Sequence, residues 1–278
     1  MALKNPVYLD LETLLAQAEY NGVQVPVQTD IVEKTVKQRS GNAKLGYGAL
    51  GAGGSSGSEV EFQTSYAMTP TQKATVSKII DGLVRAEVVS TAAETKALVK
   101  DELFELEGTA RITAASLAGK LFNLLFQYLK ESDRDIIGVD FAEIAPDIKQ
   151  LMQKVYLGNE LVPIPLLVEL ENAGLEQKVF INLRPSFFIE SASLDRIEGD
   201  MRVLGTIRNL VAGGNEGYLS SEEWLLHGWE YLVKRMMMAN LNKQVESLTS
   251  ALKLDLPADD VHAWIKGPAI VIDAIAIY

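Results

Sequence analysis

The clearest pattern in the chain is a series of runs rich in β-branched and aromatic residues. Residues 161–170 and 178–183 are two such runs, joined by Asn172-Ala-Gly174, a turn-prone sequence of the hairpin type. In residues 201–211, side chains alternate as in a strand with one buried face. The pattern therefore predicts three consecutive strands, of which the first two form an antiparallel pair.

Helical periodicity lies on either side of this sheet region. Thr69-Pro-Thr-Gln72 has the spacing of a capping box with proline at the first helical position, and apolar residues follow at helical intervals. A second helix is predicted from Thr113 to Lys130, and a third one over about residues 144–155. Near the start of the chain, Asp10 is a suitable N-cap for a short helix.

The carboxy-terminal part predicts a long helix and then a buried strand. Ser220-Ser-Glu-Glu223 is a capping-box sequence, and the helix after it is expected to continue to about Leu252, with a break near Asn240. Its predicted buried stripe consists of Leu225, Trp229, Leu232 and Met236. Residues 267–278 are apolar enough for a strand that is buried on both faces.

These elements predict an α+β fold, in which a mostly antiparallel sheet is covered by helices. We expect Val179, Ile207 and Val271 to be buried in one antiparallel sheet. The helices that begin near Pro70 and Thr113 are expected to cover it.

A glycine-rich insert interrupts the amino-terminal part. Seven of the seventeen residues from Gly41 to Gly57 are glycine, and such a segment loses much backbone entropy when it becomes ordered. We therefore expect residues 37–60 to form a flexible Gly/Ser-rich insert and to be the most protease-sensitive part of the chain. The whole chain, 1–278, is expected to be a single α+β domain, with a sub-boundary near 131–146.

Composition and charge narrow the classes of function. With 26 basic and 37 acidic residues the formal charge is -11, which repels nucleic acids and anionic membrane surfaces. The chain has no cysteine, which excludes disulfides, thiolate nucleophiles and cysteine-ligated metal sites. Its first residues lack the apolar run of a signal peptide, and nowhere do eighteen apolar residues run together. We expect a cytoplasmic protein.

Two glycine motifs inside the insert have the spacing of functional motifs. Gly46-Tyr-Gly-Ala-Leu-Gly51 matches a dinucleotide-binding fingerprint, and Gly53-Gly-Ser-Ser-Gly57 matches a nucleophile elbow. Both motifs require a buried strand before them and a helix after them, and the flanking sequence here predicts neither. We interpret both matches as accidental.

The titratable residues offer little recognisable chemistry. His227 and His262 are the only imidazoles, and His262 lies in sequence beside Asp259, Asp260 and Trp264. His227 is interpreted as a structural histidine on a helix. The densest acidic run, which we interpret as a charged loop rather than a metal site, contains Asp133, Asp135, Asp140, Glu143 and Asp147. No catalytic, cofactor-binding or metal-binding residue is assigned, and no cofactor is expected.

Several patches nevertheless make the chain resemble an uncharacterised bacterial protein family of unknown function. They are Val7-Tyr-Leu-Asp10, the glycine/serine-rich insert, Met201-Arg-Val-Leu-Gly-Thr-Ile207, and Gly267-Pro-Ala-Ile together with Ala276-Ile-Tyr278. The resemblance covers almost the whole chain and carries no active site. What it implies is an association with variable bacterial gene neighbourhoods, including those for phage defence or stress.

The leading hypothesis is a non-enzymatic bacterial protein that acts by binding another macromolecule. We expect a protein partner or a homo-oligomer, whereas the negative charge argues against nucleic acid. One alternative is a membrane-active effector that inserts the glycine-rich segment as a hairpin. Another alternative is an enzyme with an unfamiliar carboxylate and histidine site.

Overall fold

The structure is a computed structural model, and it describes residues 3–25, 68–92, 97–131, 164–189, 197–214, 217–251, 257 and 259–278. These residues form nine strands and five α-helices. In chain order the elements are β1 (Tyr8–Leu9), α1 (Leu11–Tyr20), α2 (Pro70–Arg85), β2 (Ser90–Thr91), β3 (Leu103–Ile112), α3 (Ala114–Glu131), β4 (Leu166–Glu171), β5 (Lys178–Leu183), β6 (Gly199–Val211), β7 (Tyr218–Ser220), α4 (Glu222–Leu225), α5 (Tyr231–Ala251), β8 (Trp264–Lys266) and β9 (Ala269–Ile277). A short 3₁₀ helix, Pro185–Phe187, follows β5.

The predicted α+β class is confirmed, but the prediction of a mostly antiparallel sheet is wrong. β3, β4, β5, β9 and β6 close into a five-stranded barrel, in which β5 and β9 run parallel. The barrel closes because β6 is 13 residues long and pairs with β3 over 199–206 and with β9 over 203–211. β2 is also parallel to β3, and β1 extends the sheet beside β9.

A glycine in β6 lets two strands approach closely. A β-carbon at Gly205 would lie 2.4 Å from the carbonyl oxygen of Asp273 and 2.5 Å from a methyl group of Ile272, both in β9. The register between β6 and β9 shifts at this point, between Leu204 and Gly205. Glycines and bulges at such positions allow a strand to bend around a closed barrel.

The barrel interior is apolar and filled. Val179 and Ile207 are 1 % and 0 % exposed and belong to the interior cluster, as predicted. Val271 lies in the same sheet and is fully buried, but it faces outward, where it packs with residues of the helices. Both faces of β9 are thus covered, which confirms the buried character predicted for this strand.

Helices cover the barrel on two sides. α1 and α2 form one cluster with outward residues of β9 and β6, and α3, α4 and α5 form another with β4, β5 and β9. The predicted helix starts are confirmed at Asp10, whose side chain accepts from Thr13 N, and at Thr69, which forms a complete capping box with Gln72. α3 begins at Ala114, one residue after the predicted start.

The long carboxy-terminal helix differs from its prediction. The chain leaves helical geometry after Leu225, passes through Gly228 with φ of +84°, and restarts at Tyr231. This break changes the phase of the helix, so Leu232 and Met236 are 72 % and 60 % exposed instead of buried. Among the residues of α5 whose burial the structure describes, Met238, Leu241 and Val245 are buried. The break predicted near Asn240 is absent, because α5 runs through that position.

The packing of α3 against α4 depends on Gly119. A β-carbon there would lie 2.0 Å from the backbone carbonyl oxygen of Trp224. We expect Gly119→Ala to lower the free energy of unfolding by about 1 to 2 kcal/mol, because the destabilisation from overpacking exceeds the stabilisation from the higher helix propensity of alanine. Thermal unfolding followed by circular dichroism checks this.

Gly82→Ala in α2 is the matched control. The added methyl group there meets the side chain of Val23 instead of a backbone carbonyl, so it can be accommodated at lower cost. A Gly119→Ala protein as stable as the Gly82→Ala protein would contradict the prediction.

Several predictions concern residues outside the described part. They are the insert at 37–60 with its two glycine motifs, the third helix over 144–155, the acidic run from Asp133 to Asp147, and the sub-boundary near 131–146. In the part that is described, no helix is both long and apolar enough to cross a membrane.

Candidate functional site

A surface depression lies where the β5 amino-terminal end, β8 and α5 meet. It is a groove of about 690 Å³, which we name the ribbon groove because the two-stranded β7–β8 ribbon forms one side of it. Its lining includes Lys178, Glu246, His262, Trp264, Lys266 and Pro268. Of the residues singled out in the sequence, the structure brings Asp259, Asp260, His262 and Trp264 together here.

Asp260 forms a buried anchor at the groove. Its side chain is 0 % exposed, and Oδ2 accepts from Arg111 Nη1 at 2.9 Å and from the backbone N–H of Ala114 at 3.2 Å. The other oxygen accepts from the N–H of Val261 at 2.7 Å. Because Ala114 begins α3, this carboxylate satisfies a free amide at the helix amino terminus.

Arg111 connects Asp260 to the outer face of β4. Its Nε donates to Glu171 at 3.1 Å, and its Nη2 pairs with Glu169. Burial alone would lower the pKa of Arg111, but the carboxylates around it outweigh that effect and raise the pKa. The guanidinium thus stays charged and ties two strands to the segment before β8.

Lys178, at the start of β5, is the second cation of this cluster. It pairs with Asp259 and lies 3.6 Å from Glu169. Burial opposes its charge, but the hydrogen bond to Asp259 and the charge of Glu169 raise its pKa. The same hydrogen bond lowers the pKa of Asp259, whereas burial raises the pKa of Glu169 despite its two cationic neighbours.

The two histidines occupy different environments. His262 lines the ribbon groove, and its Nδ1 lies 4.0 Å from Oε1 of Glu246 on α5. His227 lies in the turn between α4 and α5, where it is exposed, so its placement on a helix was wrong. Desolvation of the part of the imidazole that lies against the protein, and then the nearby charge of Lys234, lower the pKa of His227.

Residue types of a catalytic triad meet beside the groove, but their contacts differ from those of a triad. Ser221 Oγ donates to the backbone carbonyl of His262 at 2.6 Å, not to the imidazole. Asp260 is bound to Arg111 and to backbone amides, as described above. A nucleophilic serine needs its hydroxyl on the histidine ring and a carboxylate behind it.

An aromatic pair lies on the ribbon next to the groove. Tyr218 is 62 % exposed and packs edge to face against Trp264, with ring centroids 5.2 Å apart. A second cavity, of about 500 Å³, is lined by Tyr218 and shares Trp264, Lys266 and Gly267 with the ribbon groove. Lys266 has no ion-pair or hydrogen-bond partner among the residues that the structure describes.

A second polar network lies between the barrel and α4. Asn182 donates to Asp273 at 2.7 Å and accepts from Trp224 Nε1 at 2.9 Å. Arg208 joins it by pairing with Glu223 at 2.6 Å and with Asp273 at 3.4 Å. This network holds α4 on the barrel. Its signal in the sequence is Asn182, a polar residue inside the apolar run of β5.

Sequence reasoning missed Tyr218 and Lys266 of the ribbon, and it also missed the two cations Arg111 and Lys178. Their partners come from positions distant in sequence, such as Asp260, 149 residues from Arg111. Among the described residues no group of three or more histidine, aspartate or glutamate side chains could hold a metal ion.

The chain was compared with protein families, curated proteins and solved structures. A family model described as Domain of unknown function (DUF6414) matches residues 3–278. The chain belongs to the DUF6414 family. The resemblance to an uncharacterised family of unknown function is thereby confirmed, and the DUF6414 match includes both the barrel and the ribbon groove. No curated protein and no solved structure matches the chain.

Proposed function

We propose that this protein acts by binding another protein, through the ribbon groove and the aromatic pair beside it. The observation that carries the proposal is the position of Trp264 and Lys266 between two cavities, with the exposed ring of Tyr218 packed against Trp264. Aromatic side chains next to a pocket, inside a polar rim, are typical of the central residues of protein interfaces.

The contacts of the polar residues support binding rather than catalysis. The carboxylates of Asp259 and Asp260 are held by Lys178 and Arg111, and the hydroxyl of Ser221 is held by a backbone carbonyl. These groups position the segment that leads into β8. They therefore serve to shape the groove, and an enzyme with a carboxylate and histidine site is the less favoured alternative.

Site-specific photo-crosslinking in the native host tests the proposal. A benzoylphenylalanine at Tyr218 is expected to crosslink to a specific protein, and the yield should fall when Lys266→Glu is added, because the groove then loses a cation that has no ion-pair partner among the described residues. The matched control is the same probe at Tyr20, which is 89 % exposed on α1, outside the groove. The same crosslinked products from both positions would contradict the proposal. A crosslinking yield at Tyr218 that Lys266→Glu leaves unchanged would also contradict it.

The histidines separate a binding protein from an enzyme. We expect His227→Ala, which lies outside the ribbon groove, to crosslink to the partner as the parent does, and His262→Ala, in the groove lining, to lose only part of its crosslinking yield. A catalyst that used either imidazole as its base would lose roughly 10²-fold or more of its activity. Melting temperatures of both variants must first match the parent, so that unfolding is not mistaken for lost function. Complete loss of biological function in a stable His262→Ala protein that still crosslinks to the partner would favour the enzyme alternative.

The compartment and the biological process are part of the proposal too. A chain without cysteine has no disulfide to maintain, which suits the reducing bacterial cytoplasm that we propose for it. An association with phage defence or stress stays a prediction from the family resemblance.

A further inference from the structure

The hydrogen-bond pattern of the β7–β8 ribbon leaves one edge of β8 free. Gly267 N donates to Gly217 O at 2.9 Å, and Ser221 N donates to Ala263 O at 3.0 Å. In an antiparallel pair the hydrogen-bonded positions recur every second residue, so Leu219 and Ile265 form the next one between them. The backbone N–H and C=O groups of Trp264 and Lys266 must then point away from β7.

This free edge faces the ribbon groove. Trp264 and Lys266 line the groove together with residues of β5 and α5, whereas no residue of β7 does so. Within the described part of the chain, the outward backbone groups of these two residues have no hydrogen-bond partner. An unpaired strand edge beside a groove is the arrangement that accepts an added strand.

The side chains around the edge define what such a strand would contact. Ile265 is 0 % exposed and points into the core, so Trp264 and Lys266 point to the outer face of the ribbon, where Tyr218 also lies. The floor of the groove includes the buried apolar residues Phe180 and Val261. An added strand would therefore place alternate side chains on this floor and on the outer face.

The charge of Lys266 determines which residue of an added strand is favoured opposite it. Lys266 is exposed and lacks an ion pair with any described residue, while the neighbouring Lys178 is already paired with Asp259 and Glu169. Opposite charges on directly facing positions of paired strands stabilise the pairing. An acidic residue opposite Lys266 and a large side chain next to Trp264 are thus the favoured contacts.

We propose that the partner contributes an extended segment that adds to β8 as a third strand of the ribbon, with an acidic residue opposite Lys266 and apolar residues on the groove floor. This inference rests on the proposed function and specifies how the partner binds to the groove. A single extended strand fits a concave groove of about 690 Å³, and β8 of a second copy, Trp264–Lys266, would bring no acidic residue to face Lys266. A partner segment is therefore favoured over self-association.

The first test uses a synthetic peptide, acetyl-Glu-Val-Tyr-Val-Glu-amide, with a fluorophore at one end. Its palindromic sequence can place a glutamate opposite Lys266 and the tyrosine opposite Trp264 in either strand direction. Fluorescence anisotropy with the full chain is expected to show saturable binding. The Lys-Val-Tyr-Val-Lys peptide should bind the parent roughly fivefold more weakly, and Lys266→Glu should reverse this preference.

The second test addresses the main-chain hydrogen bonds directly. If the peptide adds antiparallel to β8, the amide of the tyrosine faces β8 and the amides of the two valines face away, whereas in a parallel strand the valine amides face β8. N-methylation of an amide that faces β8, the tyrosine amide in the antiparallel case, is expected to weaken binding roughly tenfold or more, the effect of losing about 1.4 kcal/mol. N-methylation of an amide that faces away, a valine amide in the antiparallel case, should leave binding near that of the parent peptide. Only strand pairing predicts this alternation.

The outcomes distinguish the two proposals. If Tyr218 crosslinks to a partner as expected but the peptide does not bind, or both N-methylations have equal effects, strand addition is wrong and partner binding stands. If Tyr218 gives no specific crosslink, the proposed function fails whatever the peptide does. A Tyr218 crosslink to a second copy of the chain, together with a dimer in analytical ultracentrifugation, would overturn the choice of occupant.

Discussion

Replacing Asp260 with alanine is expected to destabilise the protein by about 3 to 5 kcal/mol, the usual cost of removing one partner of a buried ion pair. The side chain is 0 % exposed, and its two oxygens accept from Arg111, from Ala114 N and from Val261 N. Alanine leaves two amides without an acceptor and removes the most buried of the three carboxylates that pair with the Arg111 guanidinium, so that only Glu169 and Glu171 remain. Urea unfolding, monitored by tryptophan fluorescence, measures the loss.

The neighbouring carboxylate provides the control. Asp259 also pairs with a cation, Lys178, but its side chain is 70 % exposed. Surface ion pairs contribute little, so Asp259→Ala should cost below about 1 kcal/mol. Asp260→Asn keeps one acceptor oxygen and is expected to fall between the two. Equal losses for Asp259→Ala and Asp260→Ala would show that burial of the Arg111 pair does not matter for stability.

The sequence predicted the elements of the fold better than their arrangement. Caps such as Asp10 and Thr69 and the alternation in β6 are local signals, and the structure has the corresponding helices and strand. Closure of the barrel depends instead on which strands β6 meets on its two edges. The parallel pairing of β5 with β9 joins segments about 90 residues apart, and no local pattern specifies such a pairing.

The difference between the predicted and the observed buried face of α5 has a local cause, Gly228. Gly228 lies within the predicted helix, and glycine with positive φ is a common helix end. Once the helix restarts at Tyr231, the apolar positions shift from Leu232 and Met236 to Leu241 and Val245. The buried face of a helix should therefore not be extrapolated past a glycine. A few non-helical residues there change which side chains of the following helix face the core.

Only part of the candidate site could be predicted from the sequence. The cluster at His262 was visible because its members are neighbours in the chain. Arg111 and Lys178 were not visible, since each is one charged residue on a strand whose partners come from other elements. The free edge of β8 was also hidden, because it depends on which positions of the ribbon are hydrogen-bonded.

Ile207→Ala tests the central role of β6 in the barrel. Ile207 is 0 % exposed, faces the interior and lies opposite Ile272 of β9. Since β6 closes the barrel, its neighbours cannot collapse easily into the cavity left by a smaller side chain. We expect a loss of about 2 to 5 kcal/mol in the free energy of unfolding, the usual range for such core truncations.

Leu210→Ala is the matched control for Ile207→Ala in the same strand. Leu210 also pairs with β9, opposite Ile270, but it is 46 % exposed, so its truncation leaves no internal cavity. Its loss should stay within about 1 kcal/mol, since most surface substitutions have small effects. Urea unfolding of both variants gives the difference. If Ile207→Ala lowered the free energy of unfolding no more than Leu210→Ala does, the fully buried Ile207 would be dispensable. The barrel interior would then not be the main source of stability.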